Sequence, residues 1–311
     1  MDRRKAFLLR RITRVDNDNL GSFAESQKEM LIQKLNESVD KLDAPQILKE
    51  SMLYSLNAGG KRIRPLLLFA TLKAFDKPIE KGLEVASAIE MIHTYSLIHD
   101  DLPSMDDDDL RRGKPTNHKV FGEAIATLSG DALLTYGFQL IAQIPSEHAD
   151  ADQKIAIIQE FAKASGAEGM VGGQVADMEA EGKKLTLEEL EYVHVHKTGK
   201  LLEFSILAGA ILARATEMEK KILSKFAYHL GLAFQIRDDI LDLEGDEEKI
   251  GKPVGSDEEN HKMTYPALLT LAGAKRALKN HINESLRLLK ETGLKTSLLE
   301  EITLLIAHRD H

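Results

Sequence analysis

Two clusters of aspartates sit inside apolar helical stretches, and no other feature limits the fold so tightly. The first is His99-Asp100-Asp101-Leu102-Pro103-Ser104-Met105-Asp106-Asp107-Asp108-Asp109-Leu110-Arg111-Arg112-Gly113, with six carboxylates in the ten residues from Asp100 to Asp109. It closes a mostly apolar run, Ala86 to Ile98, that reads as a buried helix. The second is Phe234-Gln235-Ile236-Arg237-Asp238-Asp239-Ile240-Leu241-Asp242, with acids at i, i+1 and i+4. At about 100° per residue, Asp238 and Asp242 share one helix face and Asp239 points away. Like charges at i, i+4 weaken a helix. Carboxylates beside buried apolar faces are costly unless a cation neutralises them. For either cluster alone, a solvated acidic face is the competing explanation. Two such clusters, each near arginine or lysine, favour a divalent metal held by acids, with an anionic phosphate bound by metal and arginine together.

The first cluster is less regular than the second. Asp100 and Asp106 lie six residues apart, which on one continuous helix would separate them widely in angle. Pro103 argues against a continuous helix. A helix ending near Leu102 and followed by a loop would return Asp106 to Asp100, whereas Asp107 would face Asp100 only if the helix ran straight on. Both geometries stay open on sequence grounds.

The rest of the chain is helical in pattern. Leu31, Leu35, Val39 and Leu42 recur at helical spacing, and Pro45 suits the first turn of a helix to about Leu56. Long apolar helices are predicted from Ile79 to about Leu102 and from Lys119 to Ile144, and an amphipathic one from Ala151 to Lys163. Thr186 opens another, with Glu188 and Glu189 in its first turn. Leu201 to Ala213 is apolar, Glu217 to Leu243 carries the second acid cluster, and Ser256 with Glu259 reads as a capping box. No stretch alternates as a strand would. The expectation is an all-α fold, one domain over residues 23–311 with ten or more helices.

Composition narrows the chemistry. Apolar residues make up 43% of the 311, enough for a sizeable core. There is no cysteine, which removes disulfides, thiolate metal sites and cysteine nucleophiles. A metal would have oxygen or imidazole ligands, favouring magnesium, manganese or calcium. The net charge of −9 argues against nucleic acid as a partner. No apolar run approaches the roughly 18–20 residues of a membrane span, so stable membrane insertion is not expected and a cytoplasmic location is the default. Residues 1–22 are basic at first, from Arg3 to Arg14, then polar up to Gly21-Ser22. They are expected to be a disordered or non-native leader.

Four basic groups recur beside glycines: Lys61 with Arg64, Arg111 with Arg112, Lys197, and Lys252. Arginine forks bind phosphate bidentately and lysine supplies a point charge, although a loop lysine beside glycine is commonly just solvated. His93 precedes Asp100 by seven residues and shares its helix face. A core histidine satisfied by its neighbours is the competing reading there.

Together these residues resemble the short-chain trans-polyprenyl diphosphate synthases, from about Gln27 to His311. The matching motifs are Gly59-Gly60-Lys61-Arg62-Ile63-Arg64-Pro65, His93, Asp100-Asp101-Leu102-Pro103-Ser104-Met105-Asp106 and Arg111-Arg112-Gly113-Lys114-Pro115-Thr116. They continue with Gly172-Gly173-Gln174, Lys197-Thr198-Gly199, Phe234 to Asp242, and Gly251-Lys252.

The resemblance implies that the helices surround a central cavity and that the domain is catalytic: a magnesium-dependent prenyltransferase, with three Mg2+ per site and Mn2+ as a possible substitute. Isopentenyl diphosphate would condense head-to-tail with dimethylallyl and then geranyl diphosphate. Asp100 and Asp106 would bind metal from one wall and Asp238 from the other, supported by Asp242. Arg111, Lys197 and Lys252 would hold the allylic diphosphate, with Thr198 and Gln235 beside the reacting end. Lys61, Arg64, His93 and Arg112 would hold isopentenyl diphosphate. Tyr95, five residues before Asp100, would floor the hydrocarbon pocket and stop growth at a C15 product, core packing being its alternative role. A homodimer is the family expectation. The rivals are a C20-producing synthase, a terpene cyclase, a non-catalytic helical subunit of a two-chain synthase, and a calcium-binding helical protein, for which no twelve-residue calcium loop is present.

Overall fold

The computed structural model describes residues 17–244 and 263–309. Helix α1 spans Asn17–Asp40, α2 Gln46–Leu56, α3 Ile63–Ala74 and α4 Leu83–Asp100. A two-residue ribbon follows, Leu110–Arg111 paired antiparallel with Lys114–Pro115. Then come α5 Asn117–Phe121, α6 Glu123–Ala142, α7 Ala151–Ser165, α8 Met170–Ala180 and α9 Leu187–His194. Helix α10 spans Lys200–Ala213, α11 Glu217–Glu244, α12 Tyr265–Glu291 and α13 Ser297–His308. The fold is a single all-α domain, as the apolar periodicity predicts.

Helix α4 is the central element. Its residues from Glu84 to Ile92 are buried on every side, as befits a helix without a polar face. It packs against α1, α2, α3, α6 and α10. Two acids inside it would be prohibitive unpaired. Lys34 on α1 donates to Glu84 at 2.9 Å, and the Arg62 guanidinium donates to Glu90. Of the two further core clusters, one joins α3, α10, α11, α12 and α13 around Leu67, Ile206, Phe226, Leu289 and Ile302, and the other lies between α11 and α12, around Leu232, Ile236, Ile240 and Ala274.

Four details differ from the sequence pattern. The helix predicted from Ile79 is a short 3-10 turn, Ile79–Gly82, before α4 proper. The one predicted from Lys119 breaks at Gly122, whose φ of +83° no helix accommodates. The paired ribbon has strands too short to show alternation. Helix α1 begins at Asn17, inside the stretch set apart as a leader. The helix opened by Thr186 forms as expected, and its start is closed by a capping box between Thr186 and Glu189, whereas Ser256, Glu259 and Lys252 lie outside the described residues.

Candidate active site

Helix α4 ends at Asp100, and the loop beyond it turns back. The Asp106 amide donates to the Asp100 carbonyl at 2.9 Å, and Asp107 adopts a left-handed conformation, φ 50°. The open choice therefore resolves in favour of Asp106 as the neighbour of Asp100. Burial pushes the Asp100 carboxyl up to about 6; Lys197 opposes that shift, and the Asp106 charge adds to it. Asp101, next in line, faces another way. It is buried and accepts from Arg111 Nε at 2.8 and 2.9 Å.

Lys197 and Thr198 sit on an irregular turn. Residues Val195–Gly199 form a π-helical segment between α9 and α10, a widening frequently found at functional sites. Helix α8 presses against it. A Cβ built on Gly173 would lie 2.1 Å from the Lys197 amide nitrogen, so only glycine permits the approach. That supplies a packing reason for the Gly172-Gly173-Gln174 motif. From the same helix, Asp177 accepts from Lys197 Nζ at 2.6 Å.

Two adjoining cavities share this turn. One, of about 240 Å3, is lined by Asp177, Lys197, Thr198, Gln235, Asp238 and Asp239 among others. The other, of about 410 Å3, has Arg64, His93 and Asp100 at its polar end and Tyr95, Met170, Val171, Val175 and Met178 along apolar walls. Lys197 and Thr198 line both. The two acid clusters thus flank one lysine, and Arg64, in the second cavity, feels the charge of Asp238.

Along α11, the helical angle groups Asp238 with Asp242, whereas the cavity beside Lys197 is lined by Asp238 and Asp239 and not by Asp242. Asp239 is structural: its carboxylate accepts from the Tyr265 amide at 2.8 Å and so fixes the start of α12. Asp238 meets the guanidinium of Arg309, near the end of the chain, which also donates to the Phe234 carbonyl and stacks 4.0 Å above its ring. Asp242 is buried on the same helix.

The basic residues cluster only in part. His93 is held neutral, far below the usual imidazole range, by burial and by Arg64, Arg112, Arg62 and Arg111 around it. Arg64 and Arg112 are each lowered by burial and by repulsion from other arginines. The Arg64 Nε has no hydrogen-bond partner among the described residues. Arg112 donates to the Gly59 carbonyl, closing the glycine loop over itself. Arg111 and Arg112 line a crevice beside Asp101. Lys61 is exposed and borders a different small crevice, next to α1.

The sequence reading passed over Arg62, Glu90 and Asp177. An acid in the buried stretch of a helix demands a buried partner, so Glu90 could have been read as the anchor of the Arg62 loop.

Among the described residues, no three acid or imidazole side chains converge as a ready-made metal site. The donor set still suits a hard dication. Every acid is an oxygen ligand, and magnesium is commonly held by one or two carboxylates plus substrate phosphates.

Two cavities that share Lys197, one lined by aspartates and the other joining Arg64 and Asp100 to apolar walls, in an all-α fold define a class of diphosphate-handling enzymes. The chain belongs to the polyprenyl synthetase family, whose model matches residues 45–302. It is 60% identical to the farnesyl diphosphate synthase of Geobacillus stearothermophilus, over 93% of this chain and 97% of that one. It is 58% identical to the farnesyl diphosphate synthase of Bacillus subtilis strain 168, over 94% and 99%. Among solved structures, the apo crystal structure of an FPP/GFPP synthase from Zymomonas mobilis superposes with a TM-score of 0.83 at 37% identity, covering 93% of this chain and 99% of that one. No helix among the described residues is long and apolar enough to cross a membrane.

Proposed function

We propose that this chain condenses isopentenyl diphosphate with dimethylallyl and then geranyl diphosphate, giving farnesyl diphosphate and pyrophosphate. The observation that carries the reading is the shared turn: Lys197 and Thr198 line both the cavity of Asp238 and the cavity of Asp100. A diphosphate bound there meets acid walls on two sides and opens onto an apolar tunnel.

Magnesium, three ions per site by family resemblance and replaceable by manganese, would be held by Asp100 and Asp106 on one wall and Asp238 and Asp242 on the other; it would neutralise the leaving diphosphate. Lys197, with Arg111 and Lys252, binds and orients the allylic diphosphate. Lys197 must exchange its Asp177 partner for phosphate in part, and Arg111 uses the donors that Asp101 leaves free. Thr198 and Gln235 place polar oxygens beside the carbon that becomes cationic. Arg64, His93 and Arg112, with Lys61 at the edge, receive isopentenyl diphosphate. Crowded guanidinium groups beside a neutral imidazole are short of anionic charge, which a diphosphate supplies. The condensed allylic cation loses a proton to the released pyrophosphate. The protein's contribution is electrostatic placement and exclusion of water from the cation.

The working unit is taken to be a homodimer in the cytoplasm, and size-exclusion chromatography with light scattering tests the dimer. For the reaction, the assay is purified protein with dimethylallyl and isopentenyl diphosphates, with and without Mg2+, and a carbon count of the product. A Mg2+-dependent C15 product is expected. No turnover by the single chain would favour the non-catalytic subunit reading, and a C20 product would reassign the chain length.

A further inference from the structure

His99 has no part in the chemistry described above, yet it lines the hydrocarbon cavity between Tyr95 and Asp100. It directly precedes Asp100 in the last turn of α4. Carbonyls in a helix's last turn lack intrahelical partners, so such turns fray unless something holds them. Here the His99 ring crosses to α6, with Nε2 3.1 Å from the Thr127 carbonyl oxygen. A carbonyl only accepts, so Nε2 carries a proton and donates. The ring fills the place of a missing side chain: a Cβ built on Gly130 falls 2.1 Å from His99 Nε2 and 2.5 Å from Cδ2. The Asp131 carboxylate stands 3.9 Å from the same nitrogen. On its other side the ring meets Tyr95 edge-on, with centroids 5.5 Å apart. The backbone carbonyl of His99 accepts from Leu102 at 3.1 Å, starting the turn that returns Asp106 to Asp100.

We propose that His99 and Gly130 form a ball-and-socket joint that sets both ends of the hydrocarbon cavity, the Asp100–Asp106 wall at its mouth and the Tyr95 ring at its floor. This inference rests on the prenyl-transfer reading. His99 is a positioning residue: it acts through its neighbour Asp100 and through the Tyr95 ring. Gly130 is required because any side chain there evicts the imidazole from α6. One contact would then couple two properties otherwise independent, the Mg2+ requirement and the length of the product.

The test uses full-length enzyme and three readouts: the Mg2+ concentration for half-maximal rate, the product carbon count, and the rise in thermal midpoint on adding Mg2+ with inorganic pyrophosphate. For His99→Ala the Mg2+ requirement is expected to rise about tenfold, with C20 appearing beside C15 and a smaller thermal rise. His99→Gln keeps an amide donor at the Nε2 position and should stay within about twofold of wild type on all three. Gly130→Ala should reproduce His99→Ala. In the double variant the two losses should not add, since the clash has lost its partner. The proposal is overturned if His99→Ala keeps the wild-type Mg2+ response and a C15-only product, or if the two losses add. If wild type yields no C15 product, the function reading fails by itself; the Mg2+–pyrophosphate thermal rise of the four proteins still tests the joint.

Discussion

Truncating Tyr95 should lengthen the product by one isoprene unit, and the size of that step follows from helix geometry. Tyr95 lies five residues before Asp100 on α4, about 7.5 Å along the axis at 1.5 Å per residue. A helical side chain leans toward the N-terminus, so the ring reaches deeper still. The next residue on that face is Met91, four residues and about 6 Å away, and it is fully buried. An extended isoprene unit spans about 5 Å, four carbon–carbon bonds of about 1.5 Å laid in zigzag. Removing the ring therefore opens the tunnel by one unit before Met91 closes it. Tyr95→Ala should move the main product from C15 to C20, and Tyr95→Phe, which keeps the ring, should leave it at C15. The ring is only 6% exposed, so the alanine variant should also lose about 2 kcal/mol of stability, less than a fully enclosed aromatic because one side faces the cavity. The assay is chromatography of dephosphorylated products from labelled isopentenyl diphosphate. A Tyr95→Ala enzyme that is folded and active yet makes C15 alone would refute the floor argument.

Two further outcomes follow from other contacts. Asp177 fixes Lys197 Nζ at 2.6 Å beside both cavities, so Asp177→Ala should free the lysine and lower kcat by about ten- to a hundredfold; an unchanged kcat would contradict that role. His229 Nδ1 and His281 Nδ1 lie 2.9 Å apart between α11 and α12, and burial, with repulsion from His229, depresses His281 to about 4. A depressed histidine is neutral in the fold and protonates first in the unfolded chain. Its contribution is therefore complete above about pH 6.5 and is lost as pH falls toward about 4. Allowing for partial exposure, wild type should lose about 1–2 kcal/mol from this pair over that window; urea unfolding should find the loss reduced in His281→Gln, and an identical loss would sink the assignment.

Elements whose signal is local were legible in the sequence. The helix opening at Thr186 and the apolar α4 each follow from spacing of a few residues. What stayed hidden depends on contacts between elements. The π-helical turn at Lys197 packs against Gly173 of α8, and no periodicity within residues 195–199 reports that contact. The place of Asp106 depends on a backbone hydrogen bond across a loop. The Arg62–Glu90 pair joins residues 28 apart, and only the oddity of an acid in an apolar helix hints at it. The break at Gly122 was visible as a glycine, but its positive φ was not.

The charges of the site are unbalanced in opposite senses at two places. Burial raises Asp100, and Asp106 adds to the shift, which leaves that wall poor in positive charge. Burial and mutual repulsion lower Arg64 and Arg112 and hold His93 neutral, so that pocket is poor in negative charge. The two deficits lie on either side of Lys197, close enough for Arg64 to feel Asp238 and for Asp100 to feel Lys197. Neither can relieve the other directly, because helix packing keeps the groups apart. A dication with a diphosphate would relieve both at once, the acids holding the metal and the arginines the phosphate. On the proposed function, stabilisation at ionisation would then need little reorganisation of the protein. On this argument Asp238→Asn should cost more in the presence of substrate than in the free enzyme, where Arg309 is its partner. Thermal midpoints of the variant and wild type, with and without Mg2+–pyrophosphate, measure that difference, and equal shifts in both states would show that the acid wall serves the fold rather than the ligand.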